Sequence, residues 1–272
     1  PLSYSTRDLA AVSGQEFGLG GPVGIVPATR TESGTVPAGT DYGYICGGDP
    51  SPAGGTRIFR LDFNNDTTTA SPKGGLNVNR MDSQNGVSNT THGYICGGYS
   101  SPGSGHISSI DRIDYSDDTT TASPKGNLNH VGNNWAAAGN TSYGWIASGE
   151  SPSTGYMTSL NRIDYSNDNT TASLRANTDN YTRLASVGNM NYGYFAGGQS
   201  PVTSRIVRLD YASDTTWGTT KGPLPGTGYS MMGAGNGSYG YIAGGDPSRS
   251  TVSRIDYAND TATASVRGPL TS

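Results

Sequence analysis

Tyr42-Gly43-Tyr44-Ile45-Cys46-Gly47-Gly48 is a short aromatic strand that ends in a pair of small residues, and the chain spells such a segment five times. The other copies run from His92 to Gly98, Tyr143 to Gly149, Tyr192 to Gly198 and Tyr239 to Gly245. Counted from Gly43 to Gly93, Gly144, Gly193 and Gly240, the intervals are 50, 51, 49 and 47 residues. A period in this range marks propellers and repeat arrays, in which each unit buries its apolar faces against its neighbours. The 272 residues therefore read as one domain of stacked copies.

Working outward from the glycine pair, each copy divides into four strand-like segments bounded by turn residues. Strand A is a run of small residues: Leu9 to Gly14, Trp135 to Gly139, Leu184 to Gly188, Ser230 to Gly235, and a weaker version around Asn85 to Ser88. Strand B is the Tyr-Gly-Tyr-Ile segment. Strand C carries Arg-x-Asp-aromatic in every copy, with Arg60 and Asp62, Arg112 and Asp114, Arg162 and Asp164, Arg208 and Asp210, and Arg254 and Asp256. Alternation places each Arg and Asp on one face of the strand and the apolar and aromatic residues on the other. Strand D is Thr-Ala-Ser followed by a basic residue, as in Thr119 to Lys125.

Four antiparallel strands repeated radially make the blade of a β-propeller, which leaves only short, protected edges. The expected fold is all-β, a propeller of five four-stranded blades spanning approximately 1–75, 76–126, 127–176, 177–223 and 224–272. If residues 269–272 open a further repeat, the ring is larger. Composition agrees with short strands and frequent turns, since 41 residues are glycine, 15 are proline and only 32% are hydrophobic. The small-residue strand A, the glycine pair closing strand B and the aromatic ending strand C resemble the kelch type of propeller. The pattern departs from kelch in strand D, where a tryptophan appears only at Trp217.

The first copy carries an insertion at residues 15–40, between its strands A and B. A loop of that length has a function or is disordered, and an assembly role, docking on a neighbouring chain, is expected of it. Because strands alternate in direction, A–B and C–D connections share one face of the ring, and B–C and D–A connections share the other.

A residue present in every blade is explained more economically by what every blade needs than by a single active site. The repeated Arg and Asp residues are accordingly read as ties between blades, against the alternative of a charged channel. The Asp-rich turns, such as Asp117-Asp118 and Asn167-Asp168, offer fewer than the six to eight oxygens calcium prefers. His92, His106 and His130 stand at unrelated positions in the repeat, so neither a metal site nor a cofactor is expected. There is no nucleophile elbow, no phosphate loop and no sialidase-type Asp box, which points away from catalysis. Cys46 and Cys96 take the place held by Ala147, Ala196 and Ala243 and read as small core residues. Sequons at Asn65, Asn89, Asn140, Asn169, Asn180 and Asn259 are what chance yields in a chain rich in Asn and Thr. A net charge of -4 and the lack of a basic stripe argue against nucleic acid. No apolar run approaches the ~20 residues of a membrane span, so membrane insertion is not expected either.

Function is sought where the copies differ. The B–C and D–A loops carry Tyr99 and His106, Tyr156 and Met157, Tyr181 and Tyr229, aromatics without repeat symmetry that form candidate ligand platforms beside polar neighbours. The phrases Tyr239 to Gly245, Ser253 to Ser265 and Arg267-Gly268-Pro269-Leu270 resemble the repeats of kelch-like virion proteins from tailed phages of marine bacteria, cyanophages included. That resemblance implies a non-enzymatic structural or binding module of a virion: a tail fibre, tail tip or decoration protein, extracellular and in a symmetric oligomer. Its partners would be a host-surface glycan or protein and other virion proteins, contact with the latter running through residues 15–40. The alternatives are a secreted glycan-active enzyme on a propeller scaffold, which would need a non-repeated pair of acids in one pocket, and a cellular lectin with five similar sites.

Overall fold

The computed structural model describes residues 9–13, 19–20, 42–48, 54–65, 67–80, 85–100, 105–153, 155–246 and 249–270. They form five four-stranded antiparallel sheets, each in the order A-B-C-D, arranged as a five-bladed propeller. Strands A, lining the axis, are Leu9–Ser13, Asn85–Ser88, Ala136–Gly139, Ala185–Gly188 and Met232–Gly235. Strands B are Tyr42–Gly47, His92–Cys96, Tyr143–Ala147, Tyr192–Ala196 and Tyr239–Ala243. Strands C are Ile58–Asp62, Ser109–Asp114, Ser159–Asp164, Ile206–Asp210 and Thr251–Asp256. Strands D, at the rim, are Ser71–Pro72, Ser123–Asn127, Ser173–Asn177, Thr219–Thr220 and Ser265–Pro269. In four blades the Thr-Ala part of the expected strand D lies in the turn before it and the strand begins at the serine, and in blade 4, which has Trp217-Gly218 there, it begins at Thr219.

The glycine pair is needed for its backbone. Both residues take positive φ, for example 70° and 99° at Gly47 and Gly48, a region open to glycine at little cost. Blade 3 alone puts a side chain at the first of these positions, with Ser148 at φ 60°. Polar turn residues make the other connections. Asn89, Asn140, Asn189 and Asn236 each accept two backbone N–H groups in the A–B turns.

The core is divided into four slabs, each between successive blades. Tyr44, Ile58 and Ile113 belong to the first, Tyr94, Trp135 and Ile163 to the second, Trp145, Phe195 and Leu209 to the third, and Tyr194, Met231 and Ile255 to the fourth. Cys46 and Cys96 are buried in these slabs, and burial pushes both thiols up, Cys96 to about 12. Two features were not expected. Small hairpins, Tyr99–Ser100 with Gly105–His106 and Glu150–Ser151 with Gly155–Tyr156, decorate the B–C loops of blades 2 and 3. Of the insertion at residues 15–40, the described Leu19–Gly20 adds as an edge strand to Ser186–Val187, the axial strand of blade 4. That piece is taken up within its own ring, and the rest of the insertion lies outside the described residues.

Candidate functional site

The Arg-x-Asp-aromatic motif resolves into three separate contacts, and its Arg and Asp do not pair with each other. The aspartate turns back on its own chain: Asp62, Asp114, Asp164, Asp210 and Asp256 each accept the backbone N–H two residues on, fixing the turn after strand C. The arginine reaches across the joint to the last aspartate of the next blade's turn. Arg60 meets Asp118 at 2.8 Å, Arg112 meets Asp168 at 2.7 Å, Arg162 meets Asp214 at 3.0 Å and Arg208 meets Asp260 at 2.7 Å. The aromatic reaches the other way, stacking on the strand B ring of the preceding blade. The pairs are Tyr44 with Tyr115, Tyr94 with Tyr165, Trp145 with Tyr211 and Tyr194 with Tyr257, with centroids 4.0 to 4.9 Å apart.

Each buried acceptor takes two further groups. Asp168 accepts from the Tyr94 hydroxyl at 3.0 Å and lies 3.3 Å from the Lys125 ammonium. The same trio converges on Asp118 and Asp260, and at Asp214 the indole N–H of Trp145 replaces the phenol. Burial and the neighbouring carboxylates push the Tyr44, Tyr94 and Tyr194 hydroxyls above the usual phenol range, so they stay protonated as donors. A carboxylate with this many charge-assisted bonds is a fastener. Arg60, Arg112, Arg162 and Arg208 are thus spent on joints, and no charged ring lines the axis with them.

The candidate loop residues do not gather into one site. Tyr99 and His106 face each other across their hairpin, edge to face at 5.3 Å, and Tyr156 stands 42% exposed on the hairpin of blade 3. Tyr229 lies in the loop before blade 5, where the Asp246 carboxylate, its hydrogen-bond partner, raises its hydroxyl. Met157 must be corrected: it is buried, packed beside Trp135 between blades 2 and 3, and is not available as a ligand platform. It lies in the short link between the hairpin strand Gly155–Tyr156 and strand C, where its backbone N–H bonds to the Gly149 carbonyl at 2.9 Å and its side chain turns into the joint.

Tyr181 leads to the one cleft of interest, at the seam of blades 3 and 4 on the face of the B–C and D–A loops. There the Asp179 carboxylate accepts from Arg205 at 2.5 Å and from the Trp217 indole N–H at 2.7 Å, and Tyr181 lies 5.8 Å from the Arg205 guanidinium. Phe195 backs Trp217 with ring centroids 5.2 Å apart. Ser148 lines the same wall, its hydroxyl 3.0 Å from that of buried Thr178. The enclosed volume of the cleft is about 10 Å³, room for about one water, so a ligand would lie over its mouth and not inside it. Asp179 is the single carboxylate among its lining residues. Among the described residues no three His, Cys, Asp or Glu side chains converge as metal ligands.

Sequence reading missed Asp179 and Arg205, because they come from different copies and meet only across a joint. A signal was present in the departures from the repeat. Trp217 replaces the threonine of Thr121, Thr171 and Thr263, Thr178 replaces the leucine of Leu76, Leu128 and Leu224, and Ser148 replaces a glycine. No protein-family model matches this chain, and no curated protein is similar to it in sequence.

Proposed function

We propose that this chain is a non-catalytic structural and binding module of a virion, extracellular in setting, that engages a carbohydrate through the cleft between blades 3 and 4. The observation that carries the binding half is the cluster of Trp217, Tyr181, Arg205 and Asp179 at the one seam where three repeat positions depart together. A half-buried indole beside a phenol offers the C–H face of a sugar ring an apolar platform. A carboxylate already oriented by a guanidinium and an indole offers paired acceptors and donors to adjacent hydroxyls, without reorganisation on binding. With room inside for no more than about one water, the cleft would take a sugar ring across its mouth, against the exposed edges of these side chains. The virion half of the reading is supported by the resemblance of the repeats alone.

The catalytic alternative lacks support here, because the one carboxylate of the cleft is committed to Arg205 and Trp217. A lectin with five equal sites would need the cluster in every blade, and Asn77, Asn129 and Pro225 stand where blade 3 has Asp179. The test is a glycan array probed with the wild-type chain and with Trp217→Ala and Arg205→Ala. Binding that both variants lose supports the reading. An array with no binder, or binding that survives Trp217→Ala, refutes the site.

A further inference from the structure

The A–B turns of blades 2, 3, 4 and 5 share one construction. Asn89, Asn140, Asn189 and Asn236 each fold the side chain over the next peptide, and each Oδ1 accepts the N–H groups two and three residues on. At Asn236 both bonds are 2.9 Å long, from Ser238 and Tyr239. What differs is the residue that follows the asparagine. It is Thr90, Thr141 and Met190 in blades 2, 3 and 4, and Gly237 in blade 5.

That difference changes the chemistry open to the turn. The backbone nitrogen after an asparagine can attack the side-chain Cγ and close a cyclic imide. A side chain on the attacking residue crowds the approach and limits the backbone rotation it needs, and glycine imposes neither restraint. The two N–H groups on Oδ1 favour attack, because they stabilise the negative charge that develops on that oxygen. Asn236, Gly237 and Ser238 are all exposed, so water and hydroxide reach them, whereas Asn89, Asn140 and Asn189 are half-buried. The chain's other Asn-Gly pair, Asn85-Gly86, lies in the axial strand of blade 2. There Asn85 is 2% exposed and both residues are paired with strand B, so the same dipeptide has neither solvent nor freedom.

We propose that Asn236 is a site of spontaneous deamidation in the folded chain. Hydroxide takes the proton of the Gly237 N–H, the nitrogen bonds to Cγ of Asn236, and the side-chain amine takes a proton from water and leaves as ammonia. Water then opens the imide. Cleavage of the new bond to Cγ leaves aspartate, and cleavage of the original peptide bond leaves isoaspartate, with the main chain rerouted through Cβ and Cγ. The two products act differently on the turn. Aspartate keeps an oxygen in the place of Oδ1 and can accept from the turn, as Asp164 and Asp210 do after strand C. Isoaspartate carries its carboxylate on Cα and lengthens the main chain by a carbon, so the turn loses its acceptor. Either product adds a negative charge to this face of blade 5.

The test is to age the full chain at neutral pH and body temperature, digest it, and follow each asparagine peptide by mass spectrometry. Asn236 is expected to convert at least about tenfold faster than Asn85, Asn89, Asn140 or Asn189, a ratio worth about 1.4 kcal/mol of barrier. Part of its product is expected to be isoaspartate, labelled by an isoaspartyl methyltransferase. Gly237→Thr, which copies blades 2 and 3, is expected to slow the site by the same factor. Conversion of Asn236 at the rate of the other three turns overturns the proposal, and this comparison is made within the wild type. So does an unchanged rate in Gly237→Thr, or conversion of Asn85 as fast as Asn236 in the folded chain.

Discussion

Asp168→Ala removes the acceptor at the centre of the joint between blades 2 and 3. The carboxylate is buried and holds the Tyr94 hydroxyl at 3.0 Å, the Arg112 guanidinium at 2.7 Å and the Lys125 ammonium at 3.3 Å. Breaking a buried pair by removing one partner costs about 3–5 kcal/mol, largely because the other charge is left uncompensated. Here the stranded cations keep some access to water, with side chains 26% and 11% exposed, which moves the expectation to the lower end, about 3 kcal/mol. For a chain of this size each kcal/mol shifts the midpoint by roughly 2 °C, so Asp168→Ala is expected to melt about 6 °C below the wild type.

Calorimetry provides the assay, with Arg254→Ala as its internal control. That arginine has the same sequence context as Arg112 but no described carboxylate, so its truncation is expected to cost less than about 0.5 kcal/mol. A double-mutant cycle between Arg112 and Asp168 is expected to give a coupling of about 1–3 kcal/mol. The reasoning is refuted if Asp168→Ala melts within about 1 °C of the wild type, or if Arg254→Ala costs as much as Arg112→Ala.

Arg80 and Asp111 form a fully buried pair 3.4 Å apart between blades 1 and 2, so Arg80→Met alone is expected to destabilise by about 3–5 kcal/mol in urea titrations. Adding Asp111→Asn is expected to recover most of that loss, because Asn161, its equivalent in blade 3, already accepts a loop N–H, that of Asn129, at 3.1 Å, as Asp111 accepts that of Val78. At Asp214 burial works to raise the carboxyl, but hydrogen bonds from Arg175 and Trp145 and the charges of Arg162 and Arg175 outweigh it and hold the group below the usual range. Its stabilisation is therefore present above the unfolded value, near pH 4, and is lost as pH falls through the folded one. The gap in midpoint between wild type and Asp214→Asn is expected to narrow on acidification below about pH 4, and a constant gap would contradict the sign. Ser148→Gly with Thr178→Leu restores the repeat at the blade 3 seam and is expected to raise stability by about 1 kcal/mol by relieving the left-handed serine and filling an apolar slot; thermal melts check it, and a loss would mean that the hydroxyl pair is worth more than the strain.

The architecture was legible because every blade states it. The glycine pair needs positive φ, strand A needs small residues to crowd the axis, and both appear as letters at fixed spacing. The roles within the strand C motif were less legible, since Arg112 finds its acceptor 56 residues on, at Asp168. Adjacency suggested a unit of Arg and Asp on one face, whereas each side chain answers to a different neighbour. Met157 was misread for a related reason: it is a loop residue, as the sequence suggests, but the joint between blades 2 and 3 takes up its side chain. The cleft was the least legible, because Asp179, Arg205 and Trp217 lie in a D–A loop, the end of a B–C loop and a C–D turn, and only the joint brings them together.

Repetition also bears on where function can sit. At each fastened joint the buried aspartate, its two cations and the stacked rings fix the backbone, so a substitution in the loop face beyond the glycine pair leaves the fasteners intact. The seam of blades 3 and 4 illustrates this: Trp217, Thr178 and Ser148 all depart from the repeat, yet Arg162, Arg175 and Trp145 still converge on Asp214 a short way along the same joint. The cleft and the fastener are neighbouring parts of one interface, built on different side chains. Loss of binding in Trp217→Ala with an unchanged Asp214 acid profile would confirm that the two are separable, and a change in both would show that the seam transmits strain from the loop face to the fastener.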